Sequence, residues 1–295
     1  MLKIPVVYSP KQVAVSGSDF SPSAHKPSEM LKFIQNRKNA FDIEIVEPEE
    51  LTFHDFARAH DPQYVKDILA RKRKNGFGTY AKSVVDSLPF TNGAMYTAAK
   101  RATKDIPAAA LVSGFHHAGY SGFEKFGYFC TFNGLMIAGL KLLTEGYQKI
   151  AIIDADMHWG NGTDDILPRL DRKQQAAFYH YSFGRYFNKI SQADAYFKAF
   201  DDVEKHLNEF KPDVILYQSG ADTHKDDPSN GILTTHQMFA RDFRMFAIAK
   251  GLGIPLAWDL AGGYQQDENG NIDKVLRLHY NTFRACNLVY KDSSK

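Results

Sequence analysis

The chain is poor in cysteine and tryptophan and has no long apolar run. Cys130 and Cys286 are its only cysteines in 295 residues, both in apolar surroundings and without C-x-x-C spacing. That excludes a disulfide scaffold and a cysteine-ligated zinc knuckle, and it suits reduced thiols in a reducing compartment. No stretch reaches the roughly 18 consecutive apolar residues of a membrane helix. The opening Met1-Leu-Lys-Ile-Pro-Val-Val-Tyr is too short and too soon interrupted for a signal peptide. A soluble, cytoplasmic protein with no membrane partner is therefore expected. Charge of one sign is scarce as well: the formal net charge is +2, and a direct nucleic-acid partner is not expected. No linker, repeat or low-complexity tract breaks the chain, so residues 1–295 read as one catalytic domain with room for a large core.

What is present centres on residues 150–163. Ile150, Ala151, Ile152 and Ile153 form an unbroken apolar run, the pattern of a strand buried on both faces. Asp154, Asp156 and His158 follow at alternate positions, and alternate side chains of an extended segment point the same way. Gly160, Asn161 and Gly162 then allow a tight turn. A lone Asp-x-Asp is more often a polar turn than a ligand pair. Two carboxylates, an imidazole and a glycine turn together favour a divalent cation with N and O ligands, zinc above all.

Other short apolar runs end in polar groups in the same manner. Residues 108–113 lead into Gly114-Phe115-His116-His117, 176–181 contain His180, 214–218 lead into Gly220-Ala221-Asp222, and 254–258 into Gly262-Gly263-Tyr264. Helical spacing predicts helices over 27–36, 62–72, 91–104, 132–145, 193–210, 234–252 and 275–290. Alternating strands and helices give an α/β fold with a mostly parallel sheet covered on both faces, in which ligands bind beyond the carboxyl ends of the strands. His54 and His60, with no partner at ligand spacing, read as surface or capping residues. His206, His236 and His279 carry no signal.

Asp156, His158 and Asp222 make a three-ligand set with an open position, as a catalytic zinc requires. His116 and His117 can serve as base and acid, with Asp154 and Asn161 available to fix their rings. Tyr264 on its double-glycine turn can face a developing oxyanion. Together these groups describe hydrolysis of an unactivated amide.

These motifs resemble the zinc-dependent histone deacetylases, and most of all their class IV branch and bacterial deacetylase-like relatives. The likeness takes in Ser21-Pro22-Ser23-Ala24-His25-Lys26-Pro27, His60-Asp61-Pro62-Gln63-Tyr64-Val65, Phe129-Cys130-Thr131-Phe132-Asn133 and the segments above, in the family's order. It implies the arginase/deacetylase fold with an eight-stranded parallel sheet. Zinc would sit on Asp156, His158 and Asp222. His117 would be general base and acid, His116 an electrostatic partner paired to Asp154, and Tyr264 would polarise the acyl oxygen. It also implies potassium near Asp154, with backbone oxygens of Asp156 and His158 and, less directly, His180 and Tyr181. Phe129 and Tyr128 would line the substrate tunnel.

Departures bear on specificity. Trp159 stands where most relatives have a second histidine, and Asn161, in place of an aspartate, would leave His117 less basic. Tyr128 stands where relatives have a glycine and would narrow or reshape the acyl channel, and the rim aspartate of class I falls near Ser87. The implied substrate is an acylated lysine in a protein or peptide, with acetyl or longer chains. Its rivals are a small acylated amine, as in acetylpolyamine amidohydrolases, and a binding module without turnover. A two-manganese ureohydrolase needs Asp-x-His-x-Asp, and Gly160 occupies the last position. The oligomeric state is not encoded in any pattern found.

Overall fold

The computed structural model describes residues 2–14, 21–37, 41–125, 127 and 129–291. Seven strands run through it: β1 Lys3–Val7, β2 Asp42–Val46, β3 Ala108–Ala110, β4 Ile150–Asp154, β5 Phe178–Ser182, β6 Val214–Gln218 and β7 Leu256–Asp259. They form one sheet in the order β2-β1-β3-β7-β6-β4-β5, with every pair parallel. The expected eight strands are thus seven among the described residues. Parallel pairing places every carboxyl end on one edge, so the loops that follow β3, β4, β6 and β7 open side by side.

Side chains alternate between two apolar layers, as the period of a strand demands. Ile150, Ile152, Val214, Leu216 and Ala257 pack into one core. Ala151, Ile153, Ile215, Tyr217, Leu256 and Trp258 pack into the other. Helices α1 Lys26–Gln35, α2 Phe53–Phe56, α3 Pro62–Leu69, α4 Lys82–Arg101, α5 Gly134–Thr144, α6 Asn161–Ile166, α7 Arg172–Ala176, α8 Ala193–Phe210, α9 Thr235–Leu252 and α10 Asp273–Tyr290 complete the layers. The first core takes residues of α2 to α5, and the second takes α1 and α8 to α10. Cys130 and Cys286 are buried free thiols, and no helix among the described residues is long and apolar enough to cross a membrane.

Capping follows the sequence. Thr234 and Gln237 exchange side-chain and backbone bonds at the start of α9, and Asn133 Oδ1 accepts the Met136 amide 3.1 Å away to start α5. One helix differs from expectation: α4 begins at Lys82, not Thr91, and runs through Pro89. Proline removes one helical hydrogen bond. The Ser87, Thr91 and Asn92 side chains around it donate to the carbonyls of Val84, Ser87 and Leu88 at 2.7, 2.9 and 2.8 Å, and the helix continues on both sides of the proline. Ser87 is buried in α4 and lines a cavity together with Phe115 and Phe129, so it is not an exposed rim residue.

His60 corrects a second expectation. It is fully buried, with Nδ1 2.8 Å from the Gly119 carbonyl and Nε2 accepting the Asn133 amide at 2.9 Å. These bonds fix one neutral tautomer, and burial pushes its pKa down to about 4. The ring ties the loop after His116-His117 to the start of α5.

Candidate active site and metal centre

Four strand ends supply the site. After β4 the chain turns so that Asp156 and His158 meet Asp222, which follows β6. His158 Nδ1 lies 3.1 Å from Asp156 Oδ1 and 2.9 Å from Asp222 Oδ2. One donor atom from each of the three residues lies within 4.8 Å of the others. The cradle accepts only glycine at two places. A Cβ on Gly262 would stand 2.2 Å from Asp222 Oδ2, and one on Gly220 would stand 2.5 Å from Asp156 Oδ2. Burial and the adjacent Asp156 carboxylate push Asp222 up to about 7. Two buried carboxylates that resist sharing a space, with an imidazole completing the set, fit a small divalent cation, and N/O donors of this kind suit zinc. A metal there would displace the proton that the two carboxylates hold on His158, whose pKa they raise against burial to about 11.

His116 and His117 follow β3 with their ring centroids 4.1 Å apart, and their surroundings drive them in opposite directions. His116 Nδ1 lies 2.7 Å from Asp154 Oδ2. Burial opposes its charge, but Asp154 and Asp156 prevail and lift the pKa to about 9. His117 Nδ1 lies 2.8 Å from Asn161 Oδ1, and burial together with the neighbouring His116 pushes it down to about 3. With the amide oxygen accepting, the His117 proton resides on Nδ1 and Nε2 keeps its lone pair. One imidazole is therefore held charged and the other neutral. The rings of His117 and Tyr264 lie 5.6 and 6.5 Å from that of His158, and the Phe129 ring is 5.7 Å from that of Tyr264. His117, the donor triad, Tyr264 and Phe129 thus form one cluster. Tyr128 lies outside the described residues.

The turn that carries Tyr264 is held from outside at five backbone groups. The Leu260 amide bonds to the Val112 carbonyl at 3.0 Å, and the Gly262 carbonyl accepts the Ala221 amide at 2.9 Å. The Ala261 carbonyl accepts Lys26 Nζ at 2.6 Å, the Gly262 amide donates to Asp156 Oδ2 at 2.9 Å, and the Tyr264 amide donates to Asp227 Oδ2 at 2.8 Å. Gly263 adopts φ 134° freely, whereas Ala261 at φ 50° is in a conformation a residue with a Cβ holds only with such support. Burial, then the Asp222 and Asp156 charges, push the Tyr264 phenol well above its ordinary pKa, so its hydroxyl remains a donor. Asp227 and Lys26 carry no sequence signal for this work. Lys26 is fully buried and lowered by desolvation to about 8.

Around Asp154 the structure brings in a neighbour the sequence did not mark. Asp154 and Ser182 are register partners on β4 and β5, and Ser182 Oγ lies 3.2 Å from Asp154 Oδ2 while accepting the Gly160 amide at 2.9 Å. His180 instead turns Nδ1 to Asp164 Oδ1 at 2.7 Å. The Tyr181 ring packs on Phe183 and Tyr186, in the core on the opposite face of the sheet from Asp154. Trp159 is 40 % exposed, donates to Asp164 Oδ2 at 2.8 Å and lies under Arg185, so it does not join the donor set.

Comparison with known proteins agrees with this geometry. Residues 22–187 and 171–277 match the histone deacetylase domain. The chain is 28% identical over 205 residues to acetylpolyamine amidohydrolase from Mycoplana ramosa, a span of 58% of this chain and 59% of that protein. It is 27% identical over 190 residues to histone deacetylase 2 from Arabidopsis thaliana, covering 59% and 48%. The crystal structure of an acetylpolyamine aminohydrolase from Burkholderia pseudomallei superposes with a TM-score of 0.72 at 16% identity, over 97% of this chain and 99% of that one, a likeness of fold.

Proposed function

The chain belongs to the histone deacetylase domain family, and on that premise we propose that it is a zinc-dependent amidohydrolase that removes acetyl or longer acyl groups from lysine side chains. The observation that carries this reading is the pair of histidines beside the donor triad, with His117 Nδ1 held by Asn161 Oδ1 at 2.8 Å and His116 Nδ1 by Asp154 Oδ2 at 2.7 Å.

Asp156, His158 and Asp222 would hold zinc, which supplies polarisation of the acyl carbonyl and of a water molecule. His117 Nε2 takes the proton of the attacking water and later delivers it to the departing amine. Asn161 keeps Nδ1 as a donor, so the ring presents the correct nitrogen throughout. His116 stays an imidazolium and stabilises the negative charge that develops nearby. Tyr264 donates its phenol to the acyl oxygen as it becomes an oxyanion. Phe129 and Tyr264 flank the aliphatic stem of the substrate. Potassium would be held by Asp154 with the backbone oxygens of Asp156 and His158 and, less directly, by His180 and Tyr181, and Ser182 Oγ, 3.2 Å from Asp154 Oδ2, is a further oxygen beside it.

Similarity to acetylpolyamine amidohydrolases favours a second reading, the same hydrolysis on a small acylated amine. The test is acetate release by the zinc-loaded protein from an acetyl-lysine peptide, a longer-chain acyl-lysine peptide and acetylputrescine. Turnover of the peptides supports the first reading. Turnover confined to acetylputrescine replaces it with the second, and release from none of the three defeats both.

A further inference from the structure

Between Lys66 and Lys82 the chain carries six cations and one anion, yet its net charge is only +2. The excess is concentrated in Arg71-Lys72-Arg73-Lys74, directly after α3. The bland account is that basic residues complement a helix C-terminus. Here the closing carbonyls are already taken by backbone amides: Arg71 bonds to Ile68 at 2.9 Å, and Lys72 and Arg73 both bond to Asp67, at 2.7 and 3.2 Å. The side chains are left to project. Arg71 adopts φ 56° and turns the chain, and Arg71, Lys72 and Lys74 are exposed.

The run is anchored to the mouth of the proposed active site. Gly76 accepts the Phe129 amide at 2.7 Å and donates to Thr131 Oγ1 at 2.9 Å, and the Phe77 ring lies 5.8 Å from that of Phe129. Lys74 precedes Phe77 by three residues, about 10 Å of chain at most. Arg73 grips Glu124 through two bonds of 2.8 and 2.9 Å, which neutralises the acid nearest the run. Two shallow clefts share this pair; one is lined by Lys72, Lys74 and exposed Tyr80, the other by Lys125 and by Arg169, which is paired to Asp165. Lys72, Lys74 and Lys125 form no ion pair among the described residues.

We propose that this basic rim selects acylated lysines lying in acidic polypeptide segments, whose carboxylates meet Lys72, Lys74 and Lys125 while the acyl-lysine enters beside Phe129. The inference rests on the deacylase reading and narrows its substrate. An acylated polyamine, itself a cation, meets the same rim with repulsion. Nucleic acid shares the anionic chemistry, but the run is tied through Gly76 and Phe77 to Phe129, beside which one acyl-lysine side chain enters in the proposed reaction, and this favours a peptide.

The experiment measures kcat/KM for three substrates: an acetyl-lysine peptide flanked by Asp and Glu, its Asn and Gln counterpart, and acetylputrescine. Each is tested on the wild type and on the exposed double variant Lys72→Glu/Lys74→Glu, at low and at about 0.5 M salt. Binding of the same two peptides in unacetylated form is followed by fluorescence anisotropy, so the charge preference is read even if turnover fails. The expected result is an acidic-peptide preference of about tenfold at low salt, carried by KM and binding. It should vanish in salt and reverse in the variant, with kcat on the neutral peptide unchanged. Equal binding of the two peptides by the wild type, or a preference that survives the double reversal, overturns the proposal. A single-stranded oligonucleotide that binds through the same lysines and displaces the acidic peptide at much lower concentration also overturns it, in favour of nucleic acid.

Discussion

Replacing Asp227 tests how the proposed oxyanion donor is positioned. Asp227 touches no reacting atom; its Oδ2 accepts the Tyr264 amide at 2.8 Å and its Oδ1 accepts the Ser229 amide at 3.0 Å. It is only 5% exposed, so Asp227→Ala strands two backbone donors. A hydrogen bond to a charged acceptor contributes about 1.5–3 kcal/mol. The Tyr264 turn is not favoured locally, since Ala261 lies at φ 50° and Gly262 and Gly263 leave the backbone free to move. Freed of this tether, a phenol displaced by about 1 Å costs about a hundredfold in turnover. Asp227→Ala is therefore expected to lower kcat by about fiftyfold to a hundredfold with KM nearly constant, close to the effect of Tyr264→Phe. Asp227→Asn keeps an acceptor and should lose about tenfold or less. Steady-state kinetics on an acyl-lysine peptide, alongside thermal unfolding of each variant, separates positioning from collapse. Wild-type kcat in a folded Asp227→Ala protein would refute the reasoning, as would equal losses in the Ala and Asn variants.

Further outcomes follow from the same geometry. His117→Ala and Tyr264→Phe should each reduce turnover by about a hundredfold or more while zinc content stays at wild-type level; a near wild-type rate in either contradicts the assigned roles. Gly262→Ala puts a methyl 2.2 Å from Asp222 Oδ2 and should abolish zinc uptake in a chain that still folds, as measured by elemental analysis with circular dichroism. His60, held neutral with a pKa near 4 against an ordinary 6.5, binds a proton on unfolding between those values. Its contribution therefore makes the fold less stable as pH falls from 6.5 to 4, by about 3 kcal/mol in total. His60→Gln should flatten the pH dependence of denaturant unfolding in that window by about one proton, and an unchanged slope would show that His60 is not buried neutral.

Much of the site is legible in sequence because it sits where apolar runs stop. The runs before Asp154 and Ser219 could only be buried strands, and parallel strands must gather their carboxyl ends, so Asp156, His158 and Asp222 fall on one edge before any contact is known. What stayed hidden depends on contacts far apart in the chain. Nothing local marks Asp227 as the anchor of an amide 37 residues later, or His60 as the link between Gly119 and Asn133. The helix expected from residue 91 starts nine residues earlier and passes through Pro89, because the packing of Val84, Val85 and Leu88 in the core outweighs a local breaker that sequence shows plainly. The basic run 71–74 disappears in a whole-chain charge of +2 and emerges only when its side chains are seen beside Phe77 and Phe129. Ser182 comes to Asp154 because parallel register pairs the two residues across β4 and β5, which no local sequence feature marks.

The measurement that bears most directly on the central claim is zinc K-edge X-ray absorption on the purified protein, repeated on Asp222→Ala. One zinc per chain, bound by one imidazole and carboxylate oxygens and lost from the variant together with acyl-lysine hydrolysis, is the predicted result. A protein that hydrolyses acyl-lysine with no zinc, or that keeps the same coordination after Asp222 is removed, would contradict it.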